Sequence, residues 1–189
     1  MSNVFPRHTK GKLPVAQKGN GIYIMDTDGK AYLDGSGGAA VSCLGHSDPD
    51  VIHAIKTQLD SLDFAHTGFL TSAPAEALAS KLISHAPEGI DRAYLVSGGS
   101  EAVEAALKLA RQYMIEIGQP ERTRFISRRQ SYHGNTLGAL GTGGNLWRRE
   151  PFAPVMVSAR HINACFEYRG RASTERPYDY GQRVANELE

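Results

Sequence analysis

Ser100 is a candidate ligand for a phosphate group. It follows Gly98 and Gly99, and apolar residues recur at helical spacing from there to Ile117. A helix that begins at these glycines leaves its first backbone N–H groups unpaired, at the positive end of the helix dipole. Such a helix start binds phosphate well, and the Ser100 hydroxyl adds a donor. The alternative is an ordinary strand–helix turn in which Ser100 caps the helix.

The residues around Ser100 match no common nucleotide-binding motif. The Walker motif requires Gly-Lys-Ser/Thr, and the dinucleotide fingerprint requires a third glycine where this chain has Val103 or, after its second glycine cluster, Leu146. Gly98 to Ala102 partly fits the nucleophile elbow of serine hydrolases, which would make Ser100 the nucleophile. That fold requires an acid and then a histidine after the serine, but no histidine follows Asp179.

A second motif occupies residues 131–140 and reads Ser-Tyr-His-Gly-Asn-Thr-Leu-Gly-Ala-Leu. This motif follows a strand that we predict over 122–127. The first motif likewise follows a predicted strand, the short apolar run from Tyr94 to Val96. Alternating strands and helices form a parallel sheet, in which ligands bind at the carboxyl ends of the strands. Ser100 and Tyr132 each follow such a predicted strand end, so we expect the two motifs to converge.

Together the two motifs resemble the class III (ω-type) aminotransferases, which use pyridoxal 5′-phosphate. The resemblance implies the N-terminal part of a fold-type I transferase, an α/β fold. Residues 1–60 would form an arm, a hairpin and a small-domain segment, and residues 61–189 the first part of the large, mainly parallel cofactor domain. Further matches cover nearly the whole chain in the family's order: Gly19-x-Gly21-x-Tyr23-x-x-Asp26-x-Asp28-Gly29-Lys30-x-Tyr32-Leu33-Asp34, Leu44-Gly45-His46, Pro49-x-Val51 and Pro87-x-Gly89-x-Asp91-Arg92.

The resemblance also implies which residues bind the cofactor. Gly98, Gly99 and Ser100 would hold the phosphate, Tyr132 would stack on the pyridine ring, and His133 would help to fix the loop beside it. Many family members carry serine or threonine at the position of Gly98, so one side-chain contact to phosphate would be missing here.

A glycine-rich segment from Asp34 to His46 predicts either a close approach of the backbone to a ligand or a crowded turn. In the resembled family this segment lines the substrate side of the active site. Ala39 and Ala40 would leave room for the substrate there. By the same resemblance, the loop from Phe64 to Thr71 would lie near a homodimer interface and the partner's cofactor phosphate.

The resemblance predicts a transaminase (EC 2.6.1.-) that moves an amino group from an amino acid or amine to a 2-oxo acid or aldehyde. This reaction needs a lysine that bonds the cofactor aldehyde and a carboxylate that pairs with the pyridine nitrogen. In the family both lie downstream of the Tyr-His-Gly motif, in a chain about twice this length. None of the lysines here matches the Schiff-base position, so we expect no catalytic lysine and no activity from these residues alone. They are Lys10, Lys12, Lys18, Lys30, Lys56, Lys81 and Lys108.

Two other functions stay open at this point. The chain could be a non-catalytic fragment that binds a phosphorylated ligand or pairs with a full-length relative, and it could be a hydrolase that uses Ser100.

The spacing of Lys108 from Glu104 by itself indicates a surface ion pair.

The composition of the chain limits the kinds of molecule that we expect it to bind. The net charge is +1 and the Arg and Lys residues are scattered, so we expect a small-molecule substrate and neither nucleic acid nor a membrane surface. The sequence shows neither a secretion signal nor an apolar run long enough to span a bilayer, which predicts a cytoplasmic protein. Cys43 and Cys165 are expected to be reduced thiols, and the histidine spacing predicts no metal site.

The remaining elements follow from periodicity and turn residues. We predict a polar arm over 1–18, a hairpin over 22–33, helices over 48–62 and 73–85, and a short helix over 134–140. Residues 151–157 suggest another strand, 168–180 a loop, and 180–189 a helix.

Overall fold

The computed structural model describes residues 3–7 and 10–189, so part of the predicted N-terminal arm lies outside the described residues. The chain divides into two compact units, Met1–His85 and Ala86–Glu189, and each unit has its own sheet. The domain boundary predicted after residue 60 falls inside a helix of the first unit and stays a prediction.

The first unit contains an antiparallel sheet and two helices of more than ten residues. The predicted hairpin forms, and an additional strand from the predicted arm pairs with it, because its backbone groups complete the ladder along the hairpin's free edge. Asp48 caps the first of the two helices by accepting hydrogen bonds from the N–H groups of Asp50 and Val51, both at 3.0 Å. The elements are β1 (Ala16–Asn20), β2 (Tyr23–Asp26), β3 (Ala31–Leu33), a short helical turn α1 (Gly37–Ala40), α2 (Pro49–Ser61) and α3 (Ala73–Ile83).

The second unit contains the two motifs and a parallel pair of strands. The predicted parallel α/β arrangement is confirmed here, since β4 pairs with β5 in parallel register. The elements are α4 (Gly99–Glu116), β4 (Phe125–Arg128), α5 (Leu137–Thr142), α6 (Leu146–Arg149), a 3-10 helix (Glu150–Val155), β5 (Ala159–Ile162), α7 (Glu167–Gly170), α8 (Pro177–Ala185) and a 3-10 helix (Asn186–Leu188).

The core of the second unit surrounds α5. Ala139 is completely buried, and Ile162 of β5 is also buried. A Cβ at Gly144 would overlap the carbonyl oxygen of Arg128, and a Cβ at Gly141 would overlap that of Val157. The absence of side chains at these two glycines therefore allows the residues that directly follow the second motif to lie against the backbone of the neighbouring segments.

Three sequence predictions in this unit are wrong in detail. Residues 94–96 form no strand, because in the described part of the chain (3–7 and 10–189) neither β4 nor β5 pairs with them. The strand expected over 151–157 is replaced by a 3-10 helix, since Pro151 and Pro154 lack the N–H that a ladder needs. The loop expected over 168–180 contains the start of α8, which begins with Pro177 in its first turn.

Candidate functional site

The start of α4 offers free backbone donors. Gly98 is the capping residue, with extended backbone (φ −170°), and no side chain of the described residues caps the helix. The first helical hydrogen bond runs from the Ala102 N–H to the Gly98 carbonyl oxygen, at 3.0 Å. The N–H groups of the preceding helical residues therefore remain available to a ligand. Ser100 is the second residue inside the helix, so the alternative in which it serves as the cap is wrong.

The two glycines at this helix start face open space. A Cβ added at Gly98 or Gly99 would meet no atom within 4 Å. The described structure itself thus gives no steric reason for glycine at either position. A ligand that approaches the backbone closely would give one.

Ser100 connects the first motif to the second. Its Oγ accepts a hydrogen bond from the Asn135 N–H at 2.9 Å. Gly134 lies against it with φ 140°, and a Cβ at Gly134 would lie 2.6 Å from the Ser100 Oγ. The expected convergence of the two motifs therefore takes place at Ser100 and Asn135. Because a hydroxyl both accepts and donates, the Ser100 O–H can still donate to another group.

Tyr132 lies in the same loop and is 66% exposed. The Arg148 guanidinium lies 5.3 Å from the centroid of the Tyr132 ring and 4.5 Å from that of Trp147. His133 turns back toward β4, where its Nε2 lies 3.2 Å from the Ser127 Oγ. The tyrosine ring is thus accessible to a ligand, while the neighbouring histidine contacts the scaffold.

Sequence reasoning missed Glu104. Its Oε1 accepts a hydrogen bond from the Ala139 N–H at 3.0 Å, so the carboxylate lies at the start of α5. None of the ion pairs between described residues joins Glu104 to Lys108, so the predicted surface ion pair does not form. The Thr136 hydroxyl does most to lower the pKa of Glu104, followed by the backbone N–H groups of Ala139 and Gly138, and Lys108 contributes least. Among the described residues the buried Thr136 Oγ1 has no hydrogen-bond partner, so it acts on the Glu104 carboxylate as a nearby hydroxyl dipole. The sequence signal that could have indicated this contact is the equal spacing of four residues between Ser100 and Glu104 and between Gly134 and Gly138.

Ala39 and Ala40, the predicted substrate-lining residues, belong to the first unit. Both have left-handed backbone, with φ of 61° and 67°, in the turn α1. This conformation costs a residue other than glycine about 1–2 kcal/mol. It is held by the Asp34 carboxylate, which accepts hydrogen bonds from the Gly38 N–H at 3.0 Å and pairs with His46 Nε2 at 2.8 Å. These hydrogen bonds lower the pKa of the Asp34 carboxyl to about 2, and the one from the Gly38 N–H has the largest effect, followed by that from His46.

Two features are absent from the described ranges, 3–7 and 10–189. No helix there has both the length and the apolarity to cross a bilayer. No group of three or more His, Cys, Asp and Glu side chains is arranged to hold a metal ion. Cys43 and Cys165 are exposed free thiols.

Known proteins similar to this chain are aminotransferases. The family described as aminotransferase class III matches residues 4–188. An uncharacterised aminotransferase of Schizosaccharomyces pombe is 41% identical over 177 residues, which make up 93% of this chain and 39% of that protein. An adenosylmethionine-8-amino-7-oxononanoate aminotransferase of Methanocaldococcus jannaschii is 33% identical over 162 residues, 86% of this chain and 35% of that protein.

The solved structures agree on the fold. The omega transaminase from Pseudomonas jessenii in complex with PMP superposes with a TM-score of 0.89 at 27% identity, covering 97% of this chain and 43% of that chain. The fold is therefore that of the N-terminal part of the fold-type I transaminases, and the chain spans about two fifths of the length of the curated relatives that it matches. The family match over residues 4–188, together with these relatives, shows that the chain belongs to the class III aminotransferases.

Proposed function

We propose that this chain forms the cofactor-binding part of a pyridoxal-phosphate-dependent aminotransferase. The reaction would move an amino group from an amino acid or amine to a 2-oxo acid or aldehyde. The observation that carries the proposal is the hydrogen bond between the Asn135 N–H and the Ser100 Oγ. It joins a helix start suited to phosphate to the loop that presents the exposed Tyr132 ring.

The residues at the start of α4 fit a phosphate group. The open backbone at Gly98 and Gly99 leaves space for an anion, and the helix dipole favours negative charge at this end. The Ser100 hydroxyl would donate its proton to a phosphate oxygen while it accepts the Asn135 N–H. This supports Gly98, Gly99 and Ser100 as the phosphate ligands.

The second motif fits a planar ring. Tyr132 has an exposed aromatic face, and aromatic rings stack in offset geometry with centroids about 4.5–7 Å apart. The contact between His133 Nε2 and the Ser127 Oγ would keep the loop close to β4. We therefore assign Tyr132 to the pyridine ring and His133 to the support of its loop.

Bound pyridoxal phosphate would supply an electron sink for the substrate's α-carbon. The part played by this chain is to bind and orient. The N-terminal amides of α4 and the Ser100 hydroxyl would fix the phosphate, and Tyr132 would fix the tilt of the ring. Ala39 and Ala40 are proposed to border the substrate, as their small side chains would permit.

The other two functions have less support. A hydrolase would need a histidine hydrogen-bonded to Ser100, whereas His133 contacts Ser127, and His161 Nε2 contacts the carbonyl oxygens of Thr142 and Gly143 at 3.1 and 3.0 Å. A non-catalytic protein that binds a phosphorylated ligand would use the same phosphate site. It would differ only in failing to transfer an amino group.

We also propose that the enzyme is a homodimer with the 64–71 loop near its interface. Phe69 is 87% exposed in this loop and contacts the His66 ring at a centroid distance of 5.2 Å. An exposed aromatic side chain of this kind is typical of a surface that a partner covers. Light scattering of the full protein would test the dimer, and a monomer at micromolar concentration would contradict it.

The experiment that tests the function is amino transfer by the full protein. It is incubated with pyridoxal phosphate, a panel of amino acids and amines, and a 2-oxo acid, and the new amino acid is quantified by chromatography. We expect cofactor binding and transfer that depends on both substrates. Reactions without the acceptor are the control. Cofactor binding without transfer would favour the non-catalytic alternative, and absence of cofactor binding would refute the proposal.

A further inference from the structure

The helix α4 and the second motif meet at two contacts with the same spacing. Ser100 meets the Gly134–Asn135 pair, with 2.9 Å between the Asn135 nitrogen and the Ser100 Oγ. One helical turn later, Glu104 meets Gly138 and Ala139, with 3.0 Å between the Ala139 nitrogen and Oε1. Residues four apart lie on one face of a helix, so the two acceptors act side by side.

Both contacts need glycine on the opposite side. A Cβ at Gly134 would lie 2.6 Å from the Ser100 Oγ, and a Cβ at Gly138 would lie 2.5 Å from the Glu104 Oε2. A shift of the segment by one residue would bring a side chain into each gap. Gly134, whose added Cβ would also lie 2.8 Å from the Ser100 Cα, therefore fixes the register between α4 and the segment that begins with the Tyr132 loop, and Gly138 leaves room for the Glu104 carboxylate to reach Ala139.

Glu104 is the charged member of this pair of contacts. Its carboxylate accepts an N–H at the start of α5, where the helix dipole is positive and a carboxylate is favoured. The lowered pKa of Glu104 agrees with a carboxylate held by these groups. Ala139, the donor, is completely buried in the folded protein, so loss of this acceptor leaves its N–H without a partner and favours local opening of the start of α5.

We propose that Glu104 is a positioning residue that holds the Tyr132 loop in register with the phosphate-binding start of α4. It acts through the Ala139 N–H and touches no ligand itself. Ser100 would fix the near end of the segment and Glu104 the far end. The inference rests on the proposed function for its effect on cofactor binding, while the register itself is a property of the cofactor-free protein.

The first experiment replaces Glu104 in the full protein and has two readouts. Glu104→Met keeps the length of the side chain but removes both carboxylate oxygens, so the Ala139 N–H loses its acceptor. In the cofactor-free protein we expect the Ala139 amide to exchange with deuterium about tenfold faster, and the pyridoxal phosphate dissociation constant to rise about tenfold. Glu104→Asp keeps the charge and should recover part of the protection of the Ala139 amide and part of the cofactor affinity. Glu116→Met, the same change at the exposed C-terminal end of α4, is the matched control and should change neither the Ala139 exchange rate nor the dissociation constant.

The second experiment uses the space between Glu104 and Gly138. Gly138→Ala alone should weaken cofactor binding, since its Cβ would collide with the Glu104 carboxylate. In the Glu104→Ala protein the same substitution should weaken cofactor binding much less, because the carboxylate that the Cβ would meet is absent. This rescue depends on the contact and would not arise from a general loss of stability, which thermal denaturation of all variants measures separately.

The outcomes separate the two proposals. Unchanged Ala139 exchange in Glu104→Met, or additive effects in the Gly138 cycle, would overturn the positioning role. If the unsubstituted protein does not bind pyridoxal phosphate, the proposed function is wrong, and the exchange rate still decides whether Glu104 holds the register. Faster exchange with unchanged cofactor affinity would show that the register does not serve the cofactor site.

Discussion

Removal of the Ser100 hydroxyl tests the proposed phosphate site directly. In Ser100→Ala the phosphate loses one hydrogen bond to a charged group, worth about 1.5–3 kcal/mol. The Asn135 N–H loses its acceptor too, but Asn135 is exposed and water can replace it. The whole loss should therefore appear in cofactor affinity, as a rise in the dissociation constant of about 10- to 150-fold.

The assay is a titration of the cofactor-free full protein with pyridoxal phosphate, followed by absorbance. Ser158→Ala, which removes the same hydroxyl from an exposed residue before β5, is the control and should bind as the unsubstituted protein does. Thermal denaturation of both variants separates a local effect from a general loss of stability. A dissociation constant within about twofold of the unsubstituted value, the usual scatter of such comparisons, would show that the Ser100 hydroxyl does not contact the phosphate.

Three further predictions concern the ring, the left-handed turn and the lysines. Tyr132→Phe should keep most of the cofactor affinity, whereas Tyr132→Ala should lose about 2- to 12-fold in the same titration, and equal affinities would exclude stacking. The folded pKa of Asp34 is about 2, below its usual value, so its stabilisation is present above about pH 4 and is lost as the pH falls toward 2. The difference in unfolding free energy between Asp34→Asn and the unsubstituted protein should thus shrink between about pH 5 and pH 2 in urea titrations, and a constant difference would contradict the ionic role. When the 189-residue polypeptide is treated with pyridoxal phosphate and then borohydride, mass spectrometry should show no single fully labelled lysine. One fully labelled lysine together with amino transfer would instead identify a Schiff-base lysine among the seven.

The local elements of this chain could be predicted where short-range signals are strong. The Asp48-Pro49 start of α2 and the Asp28-Gly29 turn of the hairpin depend on residues within a few positions, and both form as expected. Where a strand needs a distant partner, the sequence pattern was insufficient. Residues 94–96 have strand composition but pair with neither β4 nor β5, and β1 forms from a polar segment because it pairs with the hairpin.

The sequence by itself determined the family and the two motifs, because glycine, serine and aromatic residues at fixed spacing carry a local geometry. It did not reveal that Glu104 holds the start of α5, since that contact joins residues 35 positions apart. Nor did it reveal the left-handed backbone of Ala39 and Ala40, which the Asp34 and His46 side chains hold in place. Both features depend on which segments meet in space, and only the tertiary structure decides that.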